Sequence, residues 1–252
     1  MVNNNRLLIL IPCYNERENV PKLHQRIRAL KLEADVLFVD DNSPDGTGVV
    51  IDNLAKKYRN TFVLHRPGKQ GIGSAHKEGI RWAYEKGYKN LITMDCDFTH
   101  PPEYIPVLLE NSEGYDVVVT SRYLRKRSLE GWNILRKTLT LLGHLMTRFI
   151  LKMPYDATNA FRFYNLENIP PEIFSLAESN SYSFFFESLH ILHLNKLRIK
   201  EIPINLSPRT YGSSKMRMSD ALQSLKLLFV VYFNTLGKKK YIVKSKKRKN
   251  LN

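Results

Sequence analysis

The sequence has few cysteines and no long hydrophobic run. Only two cysteines, Cys13 and Cys96, occur in 252 residues, which excludes a disulfide framework and a cysteine zinc site. The longest apolar run, residues 227–233, is far shorter than the roughly 20 residues of a membrane-spanning helix. Residues 1–6 are polar and lead directly into a predicted strand, so we expect no signal peptide. These absences favour a reducing, cytoplasmic setting.

Acidic residues are scarce relative to basic ones. Asp and Glu number 24 against 39 Lys and Arg, which gives a net charge of +15. Such an excess indicates an anionic partner: a phosphorylated small molecule, nucleic acid or an acidic membrane surface. Part of it lies in residues 237–250, GKKKYIVKSKKRKN, either a solvated tail or a membrane tether. No stacked-aromatic motif, zinc spacing or helix-turn-helix pattern accompanies the charge, so we expect no nucleic-acid partner.

Short apolar runs alternate with helical periodicity through the first half of the chain. This alternation predicts an α/β domain with a mostly parallel central sheet. A long helix is predicted over residues 133–152, with an apolar stripe that either packs in the core or lies on a bilayer surface. Ser219 is predicted to be the N-cap of a terminal amphipathic helix. Strands are predicted over residues 7–12, 34–40, 61–66, 90–95, 116–121 and 197–206.

Polar residues follow the end of each predicted strand. In parallel α/β sheets, ligands bind outside the carboxyl ends of the strands. Asp95 and Asp97 close the fourth strand, and in an extended segment two residues so spaced project to the same side. Their oxygens suit Mg²⁺ or Mn²⁺, an ion that substrate phosphates usually complete. A plain surface turn is the alternative interpretation of this pair.

The segment VDDNSPDGT supplies a candidate nucleotide contact. Asp40 or Asp41 can accept a hydrogen bond from a base N–H or a ribose hydroxyl, whereas Asp45 and Thr47 are suited to capping the following helix. The glycine-rich stretch RPGKQGIGSA has neither the dinucleotide-binding spacing nor that of a P-loop. This argues against a nicotinamide dehydrogenase and a kinase. Lys69 in that stretch is a candidate partner for a phosphate or carboxylate.

Seven ordered segments resemble those of a known family. Together they are similar to the inverting family 2 glycosyltransferases, in particular the dolichol-phosphate mannose synthases and related polyprenyl-phosphate glycosyltransferases. The resemblance implies a GT-A fold, in which a Rossmann-like nucleotide-binding half joins an acceptor half. It places the catalytic domain in residues 1–216 and leaves residues 217–252 as an amphipathic helix and polybasic tail. The segments are IPCYNERENV, VDDNSPDGT, RPGKQGIGSA, MDCDFTHPPE, SRY, DATNAFRFY and SPRTYGSSK.

The resemblance also implies roles for individual residues. Asp95 and Asp97 match the divalent-metal and diphosphate motif. Arg122 and Arg136 match arginines that bind the acceptor phosphate. A basic loop that closes over the phosphates corresponds to Arg209 and Lys215. The positions that match or adjoin the donor-nucleotide contacts are Pro12, Tyr14, Glu16, Asp41 and Lys69.

The implied reaction is attack by an acceptor phosphate oxygen on the anomeric carbon of a nucleotide sugar, with inversion. GDP-mannose or a UDP-hexose would be the donor and a dolichyl or undecaprenyl phosphate the acceptor. Because phosphate is ionised near neutral pH, no strong general base is needed. The alternative is transfer to a saccharide hydroxyl in cell-surface polysaccharide synthesis, with Glu187 or Asp156 as candidate base.

The implied location is the inner, cytoplasmic face of the membrane. Without a spanning helix, attachment would be peripheral, through the basic tail and the two amphipathic helices, or through a membrane-protein partner.

Three places depart from the family pattern. Thr99 stands where relatives often have a glutamine on the metal, which predicts altered coordination. LRKRSLEG replaces the glycine-rich stretch after SRY, and Asn159 with Ala160 occupies the small-residue region of DATNAFR. These two changes predict an unusual sugar or acceptor.

Overall fold

The structure is a computed structural model that describes residues 6–125, 134–206, 218–236 and 241–243, without the side chains of residues 134–136, 139 and 218–221. The described strands are β1 (Leu7–Cys13), β2 (Ala34–Asp40), β3 (Thr61–His65), β4 (Asn90–Thr93), β5 (Val117–Ser121), β6 (Arg162–Asn165) and β7 (Ile199–Pro203). The described helices are α1 (Asn19–Ala29), α2 (Thr47–Lys57), α3 (Ile72–Glu85), α4 (Tyr104–Glu110), α5 (Ile134–Ile150), α6 (Glu172–Ser175), α7 (Phe184–Leu194) and α8 (Met218–Leu236).

One mixed sheet holds the described strands in the order β3-β2-β1-β4-β6-β5-β7. β6 runs antiparallel to both of its neighbours, and the other pairings are parallel. The predicted mostly parallel α/β sheet is therefore confirmed. All seven residues of β1 are buried, because helices cover both faces of the sheet at its centre.

Alternate residues of the strands enter two separate cores. Leu8 and Leu10 of β1 pack on the side of α3, α7 and α8, while Ile9 and Ile11 pack on the side of α1, α2 and α4. α1 buries Val20, Leu23 and Ile27, whose spacing places them on one helical face.

The sheet order reverses direction at β1. The chain proceeds outward from β1 to β2 and β3, and then crosses back so that β4 lies on the other side of β1. In open α/β sheets such a reversal opens a crevice at the carboxyl ends of the two strands. We call the edge at which the parallel strands end the carboxyl edge; the residues after β1 to β5 lie along it.

Several expectations from the sequence are wrong in detail. β4 ends at Thr93 and not at Asp95, so the strand is two residues shorter than predicted and both Asp95 and Asp97 follow it. α8 begins at Met218, which places the predicted N-cap, Ser219, inside the helix. The elements β6, α4, α6 and α7 were not predicted.

The apolar stripe of α5 does not pack in the core as a whole. Leu142 is 52% exposed and Phe149 is 73% exposed. The helix instead buries His144 and Thr147, with Met146 half-buried beside them. α8 is similar, because it buries Leu228 and Val231, with Leu227 and Tyr232 partly buried beside them, while Leu222, Phe229 and Phe233 are exposed.

Candidate active site

The residues after β4 form a tight turn along the carboxyl edge. Asp97 is buried, and its Oδ1 accepts hydrogen bonds from the Thr99 amide at 3.1 Å and the Thr99 hydroxyl at 2.6 Å. Phe98, between them, has a φ of 63°, a left-handed conformation that is uncommon for a bulky residue. The Arg26 guanidinium lies 5.2 Å from the centre of the Phe98 ring. Thr99, the residue that departs from the family pattern, thus orients Asp97 directly.

Asp95 and Asp97 provide hard oxygen donors at this turn. Among the described residues, no three His, Cys, Asp or Glu side chains gather into a metal-binding cluster. A set of two acids does not enclose a cation, but it fits Mg²⁺ or Mn²⁺, which usually keeps water or substrate phosphate among its ligands. The chemistry of this donor set therefore agrees with the metal motif that the sequence predicted.

The residues after β1 and β2 are joined by hydrogen bonds. The amides of Asn15, Glu16 and Arg17 donate to the side chains of Ser43, Thr47 and Asp45. Asp45 Oδ1 also accepts from the Thr47 amide at the start of α2, but Gly46 occupies the N-cap position and the Thr47 hydroxyl donates to Asp45, so the predicted capping by Thr47 is wrong.

The predicted donor contacts Pro12, Tyr14 and Lys69 lie at the carboxyl edge, as these loops do. Lys69 Nζ lies 4.6 Å from the centre of the Tyr14 ring, so a cation–π contact joins the segments after β1 and β3. Pro12 is buried within β1, where it pairs with Val39 of β2.

The two aspartates at the end of β2 have different partners. Asp40, the last residue of the strand, accepts from the amide and the hydroxyl of Ser43 in the following turn. Asp41 instead pairs with Arg66, whose Nη1 lies 2.5 Å from Asp41 Oδ1 and whose Nε lies 3.0 Å from Glu78 Oε2. Burial raises the pKa of Asp41, although the Arg66 charge opposes this. The sequence predicted that Asp41 contacts the nucleotide, but it gave no indication that Arg66 pairs with Asp41.

Arg122, the predicted acceptor-phosphate residue after β5, is buried in an ion pair. Its Nε and Nη2 donate to the two oxygens of Asp156 at 2.7 and 2.6 Å, and Nη2 also donates to Thr158. Burial alone would lower the pKa of Arg122 and raise that of Asp156, but their mutual attraction raises the former and lowers the latter.

The side chains of the three other predicted acceptor residues are not described. Arg209 and Lys215 fall in residues 207–217, and of Arg136 only the helical backbone is described.

Neither candidate general base is placed to act as one. Asp156 is fully buried and held ionised by Arg122, so it is a weak proton acceptor. Glu187 is also fully buried, and its oxygens accept from the amides of Glu178 and Ser179. Arg162, which is also fully buried, donates to the Ala157 carbonyl and the Tyr164 hydroxyl.

Comparison with known proteins identifies related sequences and folds. Residues 8–176 match the model of glycosyl transferase family 2. The chain is 38% identical to an undecaprenyl-phosphate mannosyltransferase of Micrococcus luteus over 84% of this chain and 87% of that protein. It is 34% identical to a polyprenol monophosphomannose synthase of Mycolicibacterium smegmatis, over 87% of this chain and 84% of that protein.

A solved structure shows the same architecture. Glucosyl-3-phosphoglycerate synthase from Mycobacterium tuberculosis, crystallised with Mn²⁺, UDP and glucosyl-3-phosphoglycerate, superimposes with a TM-score of 0.61 at 16% identity. The match covers 96% of this chain and 82% of that one. The predicted GT-A fold is thereby confirmed.

Proposed function

Because the chain belongs to glycosyl transferase family 2, we propose that it transfers a hexose from a nucleotide sugar to a polyprenyl phosphate. It is a glycosyltransferase, and both curated relatives are named for mannose and a polyprenyl carrier. Mannose from GDP-mannose is therefore the first donor to test, and UDP-hexoses are the second. The acceptor is a dolichyl or undecaprenyl phosphate.

The donor occupies the crevice between β1 and β4. The nucleotide contacts Tyr14, Glu16 and Asp41, and the diphosphate lies near Asp95 and Asp97. These two carboxylates would hold a divalent ion, which would supply positive charge to the diphosphate. Asp41, fixed by Arg66, offers one oriented carboxylate to an N–H or hydroxyl of the nucleoside.

The engagement of both candidate bases supports a phosphate acceptor. A sugar hydroxyl would need a base to remove its proton, and Asp156 and Glu187 are buried in other interactions. A phosphate oxygen needs none. It forms the bond to the anomeric carbon as the bond to the diphosphate oxygen breaks, and the electron pair leaves with the nucleoside diphosphate. Arg122, Arg136, Arg209 and Lys215 supply positive charge for the acceptor.

The exposed apolar surface of α5 and α8 is the proposed membrane contact. Most of the exposed large apolar side chains among the described residues lie on these two helices, which pack against one another. No described helix has the length and hydropathy to cross a membrane. An exposed apolar face beside basic residues fits the interface of an anionic bilayer, here its cytoplasmic face. These side chains are Leu141, Leu142, Leu145, Phe149, Leu222, Leu225, Phe229, Val230, Phe233 and Leu236.

A transfer assay tests the reaction. The full chain is incubated with Mn²⁺, a polyprenyl phosphate and radiolabelled GDP-mannose or UDP-hexoses, with Asp97→Asn as the inactive control. We expect a labelled lipid whose sugar is released by mild acid, as a phosphodiester-linked sugar is. A label found only in an acid-stable saccharide would support the hydroxyl-acceptor alternative, and no product with any donor would contradict the proposal.

A vesicle assay tests the membrane contact. Phe149→Ser and Phe233→Ser should weaken co-sedimentation with phosphatidylglycerol vesicles, whereas Val49→Ser on α2, equally an exposed apolar residue, should not. Equal binding by all three variants would contradict the contact through α5 and α8. It would favour the basic tail or a membrane-protein partner instead.

A further inference from the structure

A chain of buried hydrogen bonds joins the turn after β4 to the end of β5. His100 accepts from the Asp95 amide at its Nδ1 over 2.9 Å, and its Nε2 lies 2.9 Å from Asn159 Oδ1. Asn159 Nδ2 donates to the Thr120 carbonyl at 3.0 Å and to the Thr120 hydroxyl at 2.7 Å. His100 and Asn159 are each 3% exposed, and the His100 ring stacks on Phe161.

The backbone groups at the two ends fix the direction of every hydrogen bond between them. The Thr120 carbonyl can only accept, so the amide nitrogen of Asn159 must face it and the amide oxygen must face His100. His100 must then carry its proton on Nε2, which leaves Nδ1 free to accept from the Asp95 N–H. This chain of hydrogen bonds therefore holds one tautomer of His100 and one orientation of Asn159.

The two ends of this chain belong to the two halves of the site. Asp95 is one of the two metal-site carboxylates, whereas Thr120 lies two residues before Arg122 in sequence. Asn159 also follows Asp156, the partner of Arg122, by three residues. One short loop, residues 156–160, thus contacts the acceptor arginine through its first residue and the metal turn through Asn159.

We propose that His100 and Asn159 are positioning residues that fix the metal-binding turn relative to Arg122. This inference rests on the proposed function and deepens it. Neither side chain needs to touch substrate. Their role is to hold the donor diphosphate and the acceptor phosphate at the separation that in-line attack requires.

Direct Mn²⁺ binding gives the first test, without sugar donor or lipid. Mn²⁺ is titrated into the full chain with GDP or UDP present and followed by electron paramagnetic resonance. We expect His100→Ala and Asn159→Ala to weaken Mn²⁺ binding by about 10-fold to 100-fold, the usual effect of losing a group that orients a metal ligand. His100→Gln, which can keep both an acceptor and a donor, should weaken it less.

His24→Ala is the matched control. His24 is another buried histidine with a single hydroxyl partner, Thr61 at 2.8 Å, but Thr61 begins β3 and so lies away from the carboxyl edge. This substitution should lower the melting temperature as the site variants do and leave Mn²⁺ binding unchanged. If Asn159→Ala behaves as His24→Ala does, the residue is only structural and the proposal is overturned.

Two further measurements separate this proposal from the proposed reaction. ¹⁵N NMR of labelled histidine should show His100 protonated on Nε2 in the wild type, and this signature should be lost in Asn159→Ala. If the wild type instead carries the proton on Nδ1, the proposed chain of hydrogen bonds is overturned. This holds whether or not the protein transfers sugar. In the transfer assay, kcat should fall by roughly 100-fold, as a misplacement of about 1 Å can cause, with smaller changes in KM. A change confined to KM would contradict a positioning role.

Discussion

Arg122 and Asp156 form a two-point ion pair that is almost completely removed from solvent. The side chain of Arg122 is 8% exposed and that of Asp156 is 0% exposed. Their opposite charges stabilise each other across 34 residues of chain, and Thr158 adds a third contact. The positive charge predicted to bind the acceptor is therefore held in place by an acid before any acceptor arrives.

Removing the acid of this pair should destabilise the protein strongly. Asp156→Asn leaves a buried guanidinium without a countercharge, at a cost of about 3–5 kcal/mol in the free energy of unfolding. Urea unfolding of the variant and the wild type measures this loss in the free energy of unfolding. Glu103→Gln is the control, because Glu103 makes an equally close pair with Arg26 that is about half exposed. This substitution should cost less than about 1 kcal/mol. Equal costs in the two variants would contradict the importance of burial here.

The hydroxyl of Thr99 should contribute to metal affinity through Asp97. Thr99→Val keeps the shape and the amide hydrogen bond to Asp97 but removes the hydroxyl donor. Because the amide alone then orients the carboxylate, we expect Mn²⁺ to bind about 10-fold more weakly, at the low end for such groups. Asp97→Asn should abolish Mn²⁺ binding, and it serves as the reference for a complete loss of the site. Unchanged affinity in Thr99→Val would show that the hydroxyl is not needed to orient Asp97.

Arg66 should be needed for nucleotide binding without touching the nucleotide. Arg66→Met leaves Asp41 buried without its cation, which should raise the pKa of Asp41 further and remove an ionised acceptor from the site. The affinity for GDP and UDP, measured by calorimetry, should fall about 10-fold or more, as expected when a charge-assisted hydrogen bond is removed. Glu78→Gln removes the other acid on Arg66 and should change affinity little. If Glu78→Gln lowered the nucleotide affinity more than Arg66→Met, the result would make Glu78 the nucleotide contact.

Mild acid should lower stability partly through His24. Burial is the main cause that lowers its pKa to about 4 from an ordinary 6.5, with the Arg28 charge adding to it. The neutral imidazole therefore stabilises the fold fully above pH 6.5. As the pH falls toward 4 the unfolded state takes up a proton first, and stability falls by up to about 1.4 kcal/mol per pH unit.

His24→Gln lacks this titration, so its stability relative to the wild type should improve steadily from pH 6.5 to 4.5. Urea unfolding at several pH values measures the difference. A constant difference across this range would contradict a depressed pKa.

Continuous apolar runs made the parallel strands predictable. The predicted strand over residues 34–40 coincides with β2, because a strand covered on both faces needs apolar residues throughout. Burial on all sides also explains why α7 was not predicted. Its residues Phe184 to Leu192 are all buried, so the helix has no polar face and no period of 3.6 residues to detect. β6 was missed because it has only four residues and starts with a buried arginine.

The position of single candidate residues at the carboxyl edge was predictable from the sequence, but their pairing partners were not. Asp41, Asp95 and Asp97 follow strands, and that position alone marked them. Their partners did not stand out, because Arg66 is 25 residues from Asp41 and Asn159 is 59 residues from His100. Which residues meet depends on strand order, and the antiparallel β6 that delivers Asn159 was not foreseen.

The direction of β6 determines which of its neighbouring residues lie at the carboxyl edge and which lie at the opposite edge. A parallel strand brings the residues that follow it to the carboxyl edge, whereas β6 brings those that precede it. Its last residues therefore lead to the opposite edge, where Glu167 pairs with Lys89 at the surface. A fluorophore on Glu167→Cys would sit there, remote from substrates. The two native thiols are buried and would not compete for the label, so the protein offers a clean attachment point for single-molecule work.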